Sequence, residues 1–278
     1  MPRRVIAFVI VLAACFGAQT LALRLSGGHT VKSESNYFSS LARIQTEAHA
    51  KPRIMLLGSS MTGRLADRAA PVAGVANLGC DGGSAVVTLR AIDRGQLPAA
   101  PVIVVEANTL SFELLGRGKE IAKAIDSDWF RVGARFPNLG ATARPTAFVY
   151  SWLMERKSSK AATSQTGLPV STQPVRLDPS QAPALDPAAS ALVDELTAIF
   201  QRLQAKGSRV FLVMLPQGEK LGTVQAKLPY ALACQSGVPW WDLNTGLPPG
   251  SVGFTDGLHM NAPSAAMALT TIVRGVGK

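Results

Sequence analysis

Five short apolar runs, each closed by a polar or turn-forming residue, constrain this chain more than anything else in it. They read RIMLLG at 53–58, GVANLG at 74–79, PVIVVEAN at 101–108, RVFLVMLP at 209–216 and VPWWDLN at 238–244. A strand with one face in water alternates apolar with polar residues. These runs do not alternate, and their β-branched content suits strands buried on both faces. Helical stretches fall between or after them. SAVVTLRAIDRG follows the second run, and PSAAMALTTIVRG closes the chain. DPAASALVDELTAIFQRLQAKG offers Asp186 as N-cap, Pro187 at the first helical position and Gly207 as its stop. Strands that alternate with helices predict a parallel sheet covered on both faces, so the expected fold is three-layer α/β/α with about five strands. At 278 residues and 47% apolar, the chain can bury one sizeable core.

The alternation lapses between about 113 and 185, which reads as an insertion. Its first part, from Arg117 to Lys160, holds nine basic and four acidic residues, half of the formal excess of +10. The same part carries Trp129, Phe130, Phe136, Phe148, Tyr150 and Trp152. Its second part, KSSKAATSQTGLPVSTQPVRLDPSQAPALDP, is rich in Ser, Thr, Gln and Pro and reads as a mobile loop. A basic balance suits anionic polymers and lipid head groups as well as nucleic acid. No zinc-finger spacing, Arg-rich helix or aromatic-basic RNA platform accompanies it, so nucleic acid is not expected as a partner.

At the N-terminus, MPRR precedes 19 residues without a charge, Val5 to Leu23. Basic residues before an apolar run of this length mark a signal peptide or an uncleaved signal anchor. The length favours an anchor, because about 20 helical residues span the hydrocarbon core. Cleavage after Ala22 lacks a clean small-x-small approach. LAAC at 12–15 resembles a lipoprotein box, but the residues after Cys15 stay apolar. The expected organisation is therefore residues 1–24 as anchor or signal, 25–51 as stalk and short helix (YFSSLARIQTEAHA), and 52–278 as the folded domain. That domain is expected on the periplasmic side of a bacterial inner membrane, with secretion or lipidation as alternatives. Cys80 and Cys234 are too few for a disulfide framework and read as buried thiols.

In open parallel sheets, sites form at the carboxyl ends of strands. Those ends carry Ser59 and Ser60, then NLGCDGG, then EAN and DLN, with TDGLHMN just before the last helix. Each residue alone also fits an ordinary role: Ser60 a helix cap, Asn108 a turn former, Gly82 a left-handed turn, Asp256 and His259 a surface loop. A serine nucleophile needs an adjacent base. His259 is the credible one, since His29 and His49 lie in or near the expected stalk. Asp256, three residues earlier, can take the second imidazole N–H and fix its tautomer. No His or Cys cluster has metal-ligand spacing, LGRGKE fails the P-loop pattern, and no G-x-G-x-x-G follows a strand, so neither metal nor cofactor is expected.

Taken in order, these blocks resemble the SGNH (GDSL-type) hydrolase superfamily of esterases and acyltransferases. Gly58-Ser59-Ser60 stands where Gly-Asp-Ser is usual, NLGCDGG matches the second block, and EANT keeps Asn108 of the third with Ala107 and Thr109 around it. Asp256 and His259 match the last block. The resemblance covers about 53–112 and 208–276. It implies a flavodoxin-like α/β fold, a Ser60–His259–Asp256 triad, and an oxyanion hole from the N–H groups of Ser60 and Gly82 with the Asn108 amide. Its membrane-anchored branch implies O-acylation, above all O-acetylation, of a cell-surface or exported polysaccharide, with a membrane protein delivering the acyl group. The alternatives are a carbohydrate esterase and a non-catalytic scaffold. The basic insertion, with Arg131, Arg135 and Arg144 singled out, is expected to meet an anionic glycan while its aromatics stack on sugar rings.

Overall fold

In the computed structural model, which describes residues 2–25, 33–155, 162–170, 173–218 and 222–277, each of the five apolar runs forms a strand. These are β1 (Ile54–Gly58), β2 (Val75–Gly79), β3 (Val102–Glu106), β4 (Arg209–Met214) and β5 (Trp240–Asp242). All pair in parallel in the order β2-β1-β3-β4-β5, with Leu57 beside both Leu78 and Val105. This is the flavodoxin-like order, which reverses direction at β1 and opens a crevice at its carboxyl end.

The missing alternation is explained by two cores. Met55, Leu57, Ile103, Val105, Val210 and Leu212 point to one face of the sheet. Ile54, Leu56, Val102, Val104, Phe211 and Val213 point to the other. The first face is covered by α2 (Asn36–Glu47), α4 (Ala85–Asp93), α8 (Pro187–Ala205) and α9 (Thr223–Ser236). The second is covered by α3 (Ser60–Arg68) and α10 (Ala262–Val276). Asp186 caps α8 by accepting from the Ala189 N–H at 2.9 Å, and Asn261 does the same for α10 through Ser264.

Two expectations change. The short helix expected in 25–51 forms as α2, but it belongs to the folded domain: it buries Leu41, Ala42 and Ile44 in the main core and packs against β2. Its serines, Arg43 and Gln45 are buried too, which is why the segment looks polar in the sequence. Among its described residues the Ser/Pro-rich stretch has a single helical turn, the 3-10 turn at Pro179–Gln181, yet it is tied to the domain at several points. Leu168 is buried and its N–H donates to Thr271 Oγ1 at 2.6 Å, while Val175 exchanges backbone bonds with Trp240 on the outer edge of β5. The remainder of that stretch, with Lys157 and Lys160, lies outside the described residues, as does Arg156 just before it.

The front of the insertion is helical: α5 (Lys119–Ile125), α6 (Asp128–Arg135) and α7 (Pro145–Glu155). The N-terminal helix α1 (Pro2–Leu25) contains an 18-residue window with a mean hydropathy of 2.3 and is long and apolar enough to cross a membrane. It fits an anchor or a signal sequence. Cys15 is exposed on it, whereas Cys80 and Cys234 are free and buried.

Candidate active site

Strand β1 runs straight into α3, and Ser59 caps that helix, its hydroxyl accepting from the Met61 N–H at 3.1 Å. The first turn of a helix leaves backbone donors without intrahelical partners. Here the Thr62 N–H goes to Glu106 Oε2 at 3.1 Å and the Gly63 N–H to the Ser59 carbonyl at 2.9 Å. The Ser60 N–H has no partner among the described residues. Ser60 itself stands at the start of α3, its Oγ 2.9 Å from His259 Nε2.

His259 sits on a tight loop closed by a Phe254–Met260 bridge and by the Thr255 N–H donating to the His259 carbonyl at 2.9 Å. Asp256 accepts from His259 twice. Its Oδ1 takes the backbone N–H at 2.8 Å, and its Oδ2 lies 2.8 Å from Nδ1. An ionised carboxylate can only accept, so Nδ1 carries a hydrogen, and the tautomer this selects has Nε2 as the acceptor toward Ser60. The His259 backbone N–H holds the Asp256 carboxyl well below the usual carboxylate range, with help from the imidazole and from Arg64, against a smaller opposing effect of burial. Arg64, one turn after Ser60 on α3, donates to Asp256 Oδ2 at 2.8 Å. The same helix thus presents Ser60 and holds the Asp256 carboxylate that orients His259.

Behind this turn lies a group the sequence did not reveal. Glu106 ends β3 with 2% of its surface exposed and no cationic partner among the described residues. Its carboxylate accepts from the Ser59 N–H (2.9 Å) and from the hydroxyls of Ser59 (2.8 Å), Thr62 (2.6 Å) and Thr109 (2.9 Å), besides the Thr62 N–H. Negative charge at a helix N-terminus is favourable. Ser59 and Thr109, the two departures from the expected blocks, are both ligands of this one carboxylate. Gly58 has no alternative, because a Cβ there would overlap Glu106 Oε2 and Thr62 Oγ1.

Of the three expected oxyanion donors, the structure leaves two unengaged. Gly82 follows β2, takes a left-handed φ of 78°, and its N–H has no partner among the described residues. Asn108 is different. Its Nδ2 donates to the Leu215 carbonyl at 3.0 Å and to Gln217 Oε1 at 2.7 Å, while its Oδ1 accepts from the Leu215 N–H at 2.8 Å. Both amide hydrogens are committed to the end of β4, so Asn108 stitches two strand ends and presents no donor to a substrate. The loop of Gly82 is held by α2: Arg43 Nη1 donates to the Gly79 carbonyl at 2.6 Å and Ser40 Oγ accepts from the Asp81 N–H at 2.8 Å. Arg43, Ser40 and Glu106 reach the turns around Ser60 and Gly82 through partners distant in sequence, Gly79, Asp81, Ser59 and Thr62, which no local pattern marks.

The three arginines expected to bind a polymer are engaged separately. Arg131 pairs with Asp128, and Arg135 lies 5.9 Å from the Phe136 ring centre. Arg144 pairs with Glu34 and stacks 3.3 Å over Phe38. Arg144 also borders a cavity of about 450 Å³, lined by Lys123, Trp129 and Phe130 of the insertion and by Tyr37 and Phe38 of α2. No cluster of three or more His, Cys, Asp or Glu side chains among the described residues could hold a metal ion.

Comparisons with protein-family models, with curated proteins and with solved structures give no match to this chain.

Proposed function

We propose that this chain is an extracytoplasmic serine acyl-transfer enzyme of SGNH type that O-acetylates a cell-surface or exported polysaccharide through an acyl-Ser60 intermediate. The observation that carries the reading is the hydrogen-bonded line from Asp256 through His259 to Ser60, with unengaged Ser60 and Gly82 N–H groups at adjoining strand ends. Ser60 Oγ attacks the acyl carbonyl carbon of an ester donor as its proton passes to His259 Nε2. The two N–H groups stabilise the oxyanion that forms. Collapse breaks the donor's ester bond, and His259 returns the proton to the departing alcohol. A sugar hydroxyl then gives its proton to His259 and attacks the acyl carbon; the Ser60 Oγ–acyl bond breaks, and His259 returns the proton to Oγ. Asp256 stays ionised throughout and supports the imidazolium.

The resemblance supports a glycan acceptor, and the apolar N-terminal helix and the aromatic cavity beside Arg144 agree with it. The test is a serine-directed fluorophosphonate probe on the full-length chain, followed by acyl transfer from an acetyl ester to purified glycans. Wild type should be labelled and Ser60→Ala should not, with acetate appearing on glycan faster than as free acid. Release of acid alone would make the chain an esterase, and no labelling of wild type would make it a scaffold.

A further inference from the structure

The apolar run of α1 is not clear of the folded domain. Cys15, Ala18, Gln19, Ala22 and Leu23 share an apolar groove of about 350 Å³ with Pro145, Phe148 and Val149 of α7. Gln19, a polar residue inside the charge-free run, donates its amide to the carbonyls of Ala143 and of Asn138 (3.1 Å). A spanning helix of Val5–Leu23 is about 28 Å long, close to the hydrocarbon thickness of about 30 Å. Cys15 then lies about 12 Å below Leu23. Placing the membrane boundary at Cys15 to keep α7 in water would leave Val5–Cys15, about 16 Å, to cross the bilayer. If α1 spans, α7 is at membrane depth.

The surface of α7 fits that position independently. It carries no charge from Pro145 to Met154. Its inward side is Ala147 and Ser151, both buried. Its outward stripe is Val149, Trp152 and Leu153, spaced i, i+3, i+4, and these are 52%, 46% and 46% exposed. Helices that lie in a membrane interface bury such a face about 5–10 Å deep, and Trp favours that level.

We infer that α7 docks in the lipid bilayer beside α1, so that the domain sits on the membrane surface and not on a stalk above it. The occupant of the groove and of the outward stripe is lipid, because both continue the lipid-facing surface of α1. This rests on α1 as a spanning helix. It removes Trp152, with Phe148 on the groove, from the aromatics available to stack on sugar.

The test uses full-length protein with Cys15→Ala, in vesicles of phosphatidylcholine and phosphatidylglycerol. Single substitutions Val149→Cys, Trp152→Cys and Leu153→Cys receive an environment-sensitive fluorophore, with Val224→Cys on α9 as reference. All four side chains are exposed, so the core is untouched. The three α7 positions should be quenched by lipids with a nitroxide on the acyl chain, and several-fold less by iodide than position 224. Iodide quenching equal to that at 224, in protein that floats with the vesicles, overturns the docking and leaves the anchor standing. Shielding from both quenchers means that protein covers α7, which also overturns it. A chain that does not float with the vesicles overturns anchor and docking together.

Discussion

Replacing Glu106 with glutamine or alanine tests whether one buried carboxylate builds the nucleophile turn. Five donors converge on it, and two of them, the Ser59 and Thr62 N–H groups, belong to the backbone and cannot turn away. The three hydroxyls can rotate. Glu106→Ala therefore strands at least two buried donors, each costing about 1–3 kcal/mol, partly offset because a charge no longer has to be desolvated. We expect a net loss of about 2–4 kcal/mol, a large fraction of the 5–15 kcal/mol typical of a domain. Glu106→Gln keeps one oxygen for the two N–H groups, and its NH₂ can face the Ser59 and Thr109 hydroxyls once these turn to accept. Losing the charge should then cost about 1–2 kcal/mol. Urea unfolding of the detergent-solubilised full-length chain, with fluorophosphonate labelling of Ser60 on the same samples, reads both effects. Labelling should fall in the order wild type, glutamine, alanine. The reasoning fails if both variants stay within about 0.5 kcal/mol of wild type, as ordinary surface substitutions do, or if glutamine is the worse of the two.

Three other outcomes follow from particular contacts. Asn108→Ala should lower stability by about 1–3 kcal/mol through loss of its bonds to Leu215. A rate loss of about 10²–10³ with stability intact would instead restore it to the oxyanion hole. Arg43→Ala should reduce Ser60 labelling by loosening the Gly79–Gly82 loop, while Arg43→Lys recovers part of it; labelling at the wild-type rate in both would sever α2 from the site. Burial, and then the Asp81 charge, pushes the Cys80 thiol up to about 12, with Arg43 opposing. The unfolded chain releases that proton near pH 8.5 and the folded chain holds it, so stability is full below about 8.5 and falls from there to about 12, by at most about 1.4 kcal/mol per pH unit from this group. Alkaline melts of Cys80→Ala should be shallower by that amount, and identical slopes would refute the assignment.

The strands were legible because burial on both faces leaves uninterrupted apolar runs. The helices α4, α8 and α10 were legible because caps and stops are local chemistry. The Ser60–His259–Asp256 line was legible for a related reason, since D-x-x-H is a local spacing and strand ends are where sites form. What the sequence hid was tertiary. Glu106 looks like the polar end of VIVVE until Ser59, Thr62 and Thr109 are folded around it. Ser40 and Arg43 made α2 look solvated, although their partners lie on the loop after β2. Helix α9 went unread because Gly218 and Gly222 precede it and Pro229 falls inside it. Asn108 shows the reverse: the sequence offers it as an oxyanion donor, and in the folded chain its hydrogen bonds are spent on Leu215 and Gln217.

Val175 closes the outer edge of β5 with a reciprocal pair of backbone bonds, the Val175 N–H to the Trp240 carbonyl at 2.9 Å and the Trp240 N–H to the Val175 carbonyl at 2.7 Å. An open sheet edge is a template on which a second chain can add a strand, and copies confined to two dimensions meet far more often than copies in solution. Here the seal is a Ser/Pro-rich segment whose prolines and polar side chains make it a poor strand-former in its own right. Proteolytic nicking of that segment would therefore turn β5 into a polymerisation surface before it disturbed the triad. A preparation aged in the presence of trace protease should gain large oligomers while its remaining monomer still reacts at Ser60.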